Sequence, residues 1–496
     1  IPKQISIPRT MPSTTNGSNG ASHKVTFDTF QNVINGKLVS TSQTRHGVNP
    51  ATKKALPAVP VATQQDVDAA VKAARDAFPA WSRTSIEDRR AALLRFAEAF
   101  KDQSEDFGKL LTTEQGKPLK FASQEVALGC HWLTSIANLD IPEEVIEDNE
   151  DRKVIVRYTP LGVAVAIVPW NFPVQLGLGK IVGALLTGNT LIFKPSPFTP
   201  YCGLKIAELA QSYLPPGVLQ ALSGDDSLGQ MLTEHPGIDK ISFTGSTATG
   251  KKVMESASKT LKRVTLELGG NDAAIVCKSV DIKSVAPQIA TLGFLNSGQI
   301  CLCLKRIYIH SSIYDEFRDA MVAHTKTLKV GEGTEEGVFL GPIQNSMQYE
   351  KVQTFFDDVE QHGYKVAVGG KTADSNGYFI NPTIIDNPKD DSKIVTEEPF
   401  GPIVPILKWT DEEEVISRAN NTKMGLGASV WTSDLSESER IAKRLEAGSV
   451  WVNAHIGLSP LIPFGGHKES GIGWEYGVSG LKNFCNSQSL FFKKKV

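Results

Sequence analysis

Three short segments carry side chains whose type and setting could do chemistry. Cys301 closes the run Phe294-Leu-Asn296-Ser-Gly298-Gln299-Ile-Cys301. A lone cysteine reads first as a small buried hydrophobe, but a Gly-Gln pair beside it leaves room for a ligand against the backbone, and that admits a nucleophile. Glu267 stands inside the apolar stretch Val264-Thr-Leu-Glu267-Leu and runs into Gly269-Gly270-Asn271. A buried carboxylate must be paired or protonated. Glu267 is therefore either bonded to nearby backbone or a general base of raised pKa. Asn171 is bracketed in Pro169-Trp170-Asn171-Phe172-Pro173. The prolines fix the backbone on both sides, so the segment is a rigid turn or one that aims an amide donor at a developing oxyanion.

Two glycine patterns invite a different chemistry. Residues 245–251, Gly-Ser-Thr-Ala-Thr-Gly-Lys, nearly match a nucleotide-hydrolase phosphate loop, but position 252 is Lys where a magnesium-binding hydroxyl belongs. A helix starting near Ala248 could still hold a pyrophosphate on its first N–H groups. Gly177-Leu-Gly179-Lys-Ile-Val-Gly183 resembles a dinucleotide fingerprint but follows no strand and has no acidic residue about 20 positions on. It reads as close helix packing.

These residues need a frame. The chain has 496 residues, 41% hydrophobic and 21% charged, too long for one core, so two or three domains are expected. With 52 Lys+Arg against 54 Asp+Glu there is no electrostatic footprint for nucleic acid, and a small molecule is the expected partner. No apolar run approaches the roughly 20 residues of a spanning helix. Six cysteines in a long chain without a secretory signal read as free thiols in a reducing, cytoplasmic compartment, and their spacing suggests no metal. Residues 1–25 read as a disordered tail, with Met11 a candidate native start. From residue 60 onward helical and strand patterns alternate. Val67, Ala70, Val71, Ala74, Ala77 and Phe78 recur at helical spacing behind a Thr63/Asp66 capping box. Strands are expected at 163–168, 191–193, 218–222, 241–243, 273–276 and 307–309, with a helix near 313–328. This rhythm predicts an α/β fold with mostly parallel, doubly wound sheets. The charged stretch 143–157 breaks it, and its centre at 154–156 reads as a strand belonging elsewhere, such as to a subunit contact. The tail 493–496 reads as a solvated strand end.

The motifs PWNFP at 169–173, FTGS at 243–246, LELGG at 266–270, FLNSGQIC at 294–301, EEPFGP at 397–402 and PFGGHKESG at 463–471 together resemble the NAD(P)-dependent aldehyde dehydrogenase superfamily from about residue 30 to the C-terminus. The resemblance implies two doubly wound α/β domains plus a small β oligomerisation arm. The cofactor-binding domain would take 26–140 and 160–267, the catalytic domain 268–467, and the bridging arm 141–159 with 480–496. It implies Cys301 as nucleophile, Glu267 as general base, Asn171 as oxyanion donor beside the Cys301 N–H, and Lys180 near the active centre. It places the cofactor on Pro169, Trp170, Lys194, Ser196, Gly245, Ser246, Leu268, Glu398 and Phe400. The substrate funnel falls to Phe172, Gly179, Cys303, Leu458 and Phe464, which are apolar or small and suit an uncharged, apolar or aromatic aldehyde. Glu267 argues for water rather than coenzyme A as acyl acceptor. One departure concerns the cofactor: Pro197 stands where relatives that prefer NAD carry a ribose-binding Glu, so NAD is expected first and NADP becomes possible. A homodimer or homotetramer is implied. Competing readings are a catalytically silent relative, against which the retention of Cys301 and Glu267 speaks, and a nucleotide hydrolase on 245–251.

Overall fold

The computed structural model of the chain describes residues 24–372 and 375–495. Met11, most of the 1–25 tail and Val496 therefore lie outside the described residues. The tail's inner end does not behave as expected. Val25 is buried, and its N–H donates to Gln103 Oε1 at 2.9 Å, because an apolar side chain there completes the first core.

Helix α1 (Gln64–Trp81) begins with the predicted reciprocal cap, Thr63 accepting from the Asp66 N–H and Asp66 from the Thr63 N–H. Then follow α2 (Leu119–Ala137), β1 (Val163–Ile167), α3 (Pro173–Leu186), β2 (Thr190–Lys194), β3 (Leu219–Ala221), β4 (Lys240–Thr244), α4 (Thr247–Ser258) and β5 (Arg263–Glu267). Strand β1 stops one residue short of expectation. The Val168 N–H turns to the Lys194 carbonyl, and Pro169 after it has no N–H to offer. Among the described residues the first sheet has eight strands, with β3-β2-β1-β4-β5 in parallel at its centre. β1, β2 and β4 are buried along their whole length, which is why β1 reads as an unbroken apolar run and β2 is apolar at its centre; β4 also buries Lys240, Ser242 and Thr244.

A second sheet of seven strands is built from β6 (Asp272–Val276), β7 (Leu304–His310), β8 (Thr383–Asp386), β9 (Ile403–Trp409), β10 (Gly427–Trp431) and β11 (Ser449–Val452), with Val366–Val368 at one edge, in the order Val366–Val368, β8, β9, β7, β6, β10, β11. The helix expected near 313–328 spans Tyr314–Thr325. A third, antiparallel sheet joins Glu144–Asp148, Arg152–Pro160 and Cys485–Lys493. The strand that the charged stretch interrupts the rhythm to make thus pairs with the chain's far end. Val145, Ile146, Phe491 and Phe492 leave apolar surface exposed on it.

Gly177, Gly179 and Gly183 lie inside α3, not after a strand. A Cβ on them would meet Phe193, Tyr476 and Phe484 at 2.9, 2.9 and 3.1 Å, so the pattern serves close packing. Among the described residues no helix is long and apolar enough to cross a membrane.

Candidate active site

The connection between the two large sheets brings the three chemical segments together. β5 ends at Glu267, residues 268–271 cross over, and Asp272 opens β6 opposite Leu304 of β7. Cys301 lies three residues before Leu304. The crossing must be glycine, since a Cβ at Gly270 would lie 2.5 Å from the Cys301 carbonyl oxygen and one at Gly269 would lie 2.4 Å from Glu398 Oε2. On the other side, Asn296, Ser297 and Gly298 all take left-handed φ values of 52°, 56° and 73°. Such backbone costs energy and persists only where surroundings enforce it. Ser297 Oγ donates to the Gly341 carbonyl at 2.8 Å, and a Cβ at Gly298 would lie 2.1 Å from the Gly401 oxygen.

Side-chain donors then grip the carbonyls next to the sulfur. Asn171 Nδ2 donates to Gln299 O at 2.9 Å, while Lys305 Nζ donates to Ile300 O at 3.0 Å and Cys301 O at 2.6 Å. With these carbonyls turned inward, the Cys301 N–H has no acceptor among the described residues. Asn171 spends one amide hydrogen on Gln299 and retains a second, because an amide nitrogen carries two. Its own carbonyl accepts from Lys117 Nζ at 2.8 Å. The site therefore presents a backbone N–H and a side-chain N–H beside a half-buried thiol, the donor arrangement that stabilises negative oxygen.

Burial pushes the Cys301 thiol well above the ordinary thiol range, with the Lys305 ammonium opposing and Glu398 and Glu267 adding to the rise. Burial likewise holds the Glu267 carboxyl well above the usual carboxylate range, reinforced by Glu475 and opposed by Lys180. Both Glu267 oxygens are without a hydrogen-bond partner among the described residues. The bonded-to-backbone alternative therefore has no support. Lys180 is paired with Glu475 and donates to Ser242 Oγ at 2.9 Å, and Ser242 in turn donates to Glu475 at 3.0 Å.

The chain leaves β1 toward β2 and β3 on one side and returns to β4 and β5 on the other, so the strand order reverses between β1 and β4. Ligands of open α/β sheets bind in the crevice at such a reversal, beyond the strands' C-terminal ends. Pro169 and Trp170 follow β1 there, and Gly245 and Ser246 follow β4. Ser246 caps α4 by accepting from the Thr249 N–H at 3.3 Å. Lys251, the lysine of the apparent phosphate loop, reaches instead to Glu469 at 3.0 Å, which leaves the hydrolase reading without its cation. Lys194 ends β2 and is buried, which lowers its pKa to about 8 against the pull of Asp226. Ser196 is buried and its Oγ accepts from the Phe198 N–H at 3.2 Å. Leu268 packs against the first turns of α4 at Gly250. Glu398 accepts from the Gly270 N–H at 3.2 Å and pairs with Lys305 at 3.0 Å. The Phe400 ring meets Trp170 edge-on at 5.4 Å. These residues fit a dinucleotide: a helix start for phosphates, a buried cation at a strand end, and an aromatic pair with a carboxylate near the thiol.

The funnel positions divide. Phe172 and Leu458 are half-buried. Gly179 is closed over by Tyr476 and Trp132, and Phe464 is buried and stacked on Tyr476 at 6.3 Å. Cys303 turns its Sγ to the Leu295 carbonyl at 3.6 Å and is only 1% exposed. Residues 301–303 form a turn rather than a strand.

Sequence reasoning missed Lys305, Glu475 and the Lys117–Glu125 pair. Glu475 stands between Trp474 and Tyr476, Lys305 between Leu304 and Arg306, and Lys117 between Gly116 and Pro118, and no local signal says which wall any of them faces.

The family model described as the aldehyde dehydrogenase family matches residues 38–490. A putative aldehyde dehydrogenase of Gibberella fujikuroi is 46% identical over 95% of this chain and 100% of its own length. The solved NAD+ complex of an aldehyde dehydrogenase from Bacillus cereus is 35% identical, with a TM-score of 0.92 over 94% of this chain and 97% of that one. An NADP-dependent enzyme of E. coli is 34% identical, with a TM-score of 0.91 over 93% and 98%.

Proposed function

Since the chain belongs to the aldehyde dehydrogenase family, whose members carry out NAD(P)-dependent aldehyde oxidation, we propose that it converts an aldehyde to its carboxylic acid through a thioester on Cys301. The observation that carries this reading is the half-buried Cys301 thiol set beside an unsatisfied backbone N–H and the Asn171 amide, with the unpartnered Glu267 carboxyl close enough to raise its pKa.

The Cys301 thiol first loses its proton to solvent, since only the thiolate attacks. Its sulfur bonds to the aldehyde carbon, and the carbonyl π pair becomes an oxyanion held by the Cys301 N–H and Asn171 Nδ2. A nicotinamide held by the residues named below would supply the acceptor for the hydride that leaves this carbon as the C=O reforms. Glu267, as carboxylate, then takes a proton from water while the water oxygen attacks the thioester carbon. The C–S bond breaks, the acid departs, and the sulfur regains a proton. Lys180, paired with Glu475, opposes the rise in the Glu267 pKa that burial and then Glu475 produce.

The cofactor would lie on Pro169, Trp170, Lys194, Ser196, Gly245, Ser246, Leu268, Glu398 and Phe400, with NAD first and NADP admitted by Pro197. Phe172 and Leu458 favour an uncharged apolar or aromatic aldehyde. The exposed apolar residues of the third sheet support assembly as a dimer or tetramer. The domain division follows the sheets, with the cofactor on the first and Cys301 carried by the second.

The test is Cys301→Ala assayed by reduced-nicotinamide absorbance on an aldehyde panel with both cofactors. Turnover should fall below about one per cent of wild type; a variant that retains more removes the thiol from the reaction.

A further inference from the structure

Behind the Cys301 loop lies a buried pair that the chemistry above does not use. His455 and Asp272 both have side chains with no exposure to solvent. His455 Nε2 lies 2.8 Å from the Leu302 carbonyl oxygen, so that nitrogen must carry the ring proton. Asp272 Oδ2 sits 3.4 Å from the same nitrogen, an electrostatic contact rather than a hydrogen bond, while Asp272 Oδ1 accepts from the Gly427 N–H at 3.2 Å. His455 Nδ1 is without a partner among the described residues, and Trp451 covers the ring at 4.8 Å. Space here is committed to the pair: a Cβ at Gly427 would lie 2.3 Å from Asp272 Oδ2, and one at Gly270 2.7 Å from Oδ1.

A buried imidazole with one unsatisfied nitrogen is costly for packing alone, and its single bond points at one peptide. That peptide is planar, so its C=O and N–H point in opposite directions. Holding Leu302 O on one side turns the Cys303 N–H to the other, where it donates to Ile300 O at 3.0 Å. Ile300 O, which also accepts from Lys305 Nζ at 3.0 Å, belongs to the peptide two places back in the chain, whose opposite end is the Cys301 N–H. Two rigid planes thus connect His455 to the hydrogen read above as an oxyanion donor.

We propose that His455, held against Asp272, is a positioning residue that sets the direction of the Cys301 N–H through the Leu302–Cys303 and Ile300–Cys301 peptides. The proposal rests on the reading of Cys301 as the nucleophile. His455 touches neither substrate nor cofactor. Its loss swings the donor away from the oxyanion while leaving the thiol, the cofactor crevice and the funnel in place.

The experiment compares His455→Phe, which retains a ring without a donor, His455→Gln, which restores an N–H at similar reach, and Asp272→Asn. For each, kcat is divided by the number of Cys301 thiols that iodoacetamide labels, so that misfolded protein does not count. His455→Phe should lose about 100-fold in kcat per labelled thiol with aldehyde KM within about threefold, the pattern of a donor that acts in the transition state. His455→Gln should recover at least about tenfold of that loss. An unchanged kcat per thiol in His455→Phe overturns the proposal, as does equal loss in the Phe and Gln variants. Should His455→Phe fail to fold, Asp272→Asn decides: a fall of about tenfold at constant KM supports the pair, and wild-type kcat rejects it. Cys301→Ala runs alongside. If it remains active the thiol reading fails, whereas an inactive Cys301→Ala with an unaffected His455→Phe rejects only the positioning role.

Discussion

Asn171 Nδ2 lies 2.9 Å from the carbonyl oxygen of Gln299, two residues before Cys301. One hydrogen of the amide therefore ties the turn after β1 to the loop before β7, and the other remains free to face the reacting carbonyl. Replacing Asn171 with Ala removes both functions. Loss of one oxyanion donor typically costs about 100–1000-fold in rate, so kcat for Asn171→Ala should fall within that range. Iodoacetamide should still label Cys301, because the thiol itself is unaltered. A variant with kcat within about threefold of wild type would remove Asn171 from the oxyanion site.

Glu267 gives a prediction of opposite sign for activity and stability. Its folded-state pKa is raised, so the native state binds the proton more tightly than the unfolded chain, and stability is lost as pH rises past the unfolded value. Glu267→Gln removes this penalty. Its melting temperature should exceed that of wild type at about pH 8, by roughly 2–4 °C for each kcal/mol relieved, and the difference should shrink toward about pH 5. In rapid-mixing kinetics the same variant should show a burst of reduced nicotinamide followed by slow turnover, since hydride transfer precedes hydrolysis. A variant equally stable at both pH values, or lacking the burst, argues against a buried base.

How far these residues could be seen in advance depends on what surrounds them. Glu267 and Cys301 stand out because a carboxyl or a thiol next to glycine turns in an apolar stretch conflicts with burial, and the conflict is local. Asn171 is visible for a similar reason, caught between two prolines. The strand at 163–167 is legible because both of its faces are buried and apolar, whereas 240–244 shows only Ile241 and Phe243 among polar residues. Lys305 and Arg306 open β7 and look like a solvated strand start. In fact Lys305 turns to Glu398 and Cys301 O, and Arg306 donates to the Asn271, Arg418 and Ala419 carbonyls. Which wall a cation faces is decided by how the second sheet meets the crossing at 268–271, a relationship between distant segments. Glu475 is hidden likewise, since only the fold brings it to Lys180.

Cys301 reactivity should follow pH. Burial raises the thiol pKa with Lys305 opposing, so without cofactor the thiolate is scarce at neutrality and increases with pH. The iodoacetamide alkylation rate should climb nearly tenfold per unit from about pH 7 to about pH 9. Alkylation already at its plateau near neutrality would show a stabilised thiolate and contradict the buried thiol.

Pro197 bears on cofactor choice. It follows the buried Lys194 at the end of β2 by three residues, where, on the cofactor placement proposed above, a carboxylate would face the adenosine ribose. Pro197→Glu should lower kcat/KM with NADP by about tenfold or more relative to NAD, since a like charge beside a phosphate costs on the order of 1 kcal/mol or more near a protein surface. A ratio that does not change would place the 2′ position of the ribose elsewhere.

The segment carrying Asn171 depends on a buried ion pair behind it. Lys117 and Glu125 pair with side chains 1% and 0% exposed. Lys117 Nζ also donates to the Asn171 carbonyl at 2.8 Å and sits 3.8 Å over the Phe172 ring. Glu125 accepts from the Val174 N–H at 2.9 Å and the Gln175 N–H at 3.3 Å, capping α3. Lys117→Met leaves a carboxylate buried without its counter-charge, which typically costs about 3–5 kcal/mol. Adding Glu125→Gln should return much of that, because the amide oxygen still accepts from Val174 N–H while the stranded charge is gone. Denaturant midpoints of the single and double variants test this directly. If the double variant is no more stable than Lys117→Met, the charge was not what made the loss expensive, and the pair holds residues 171–175 through hydrogen bonds alone.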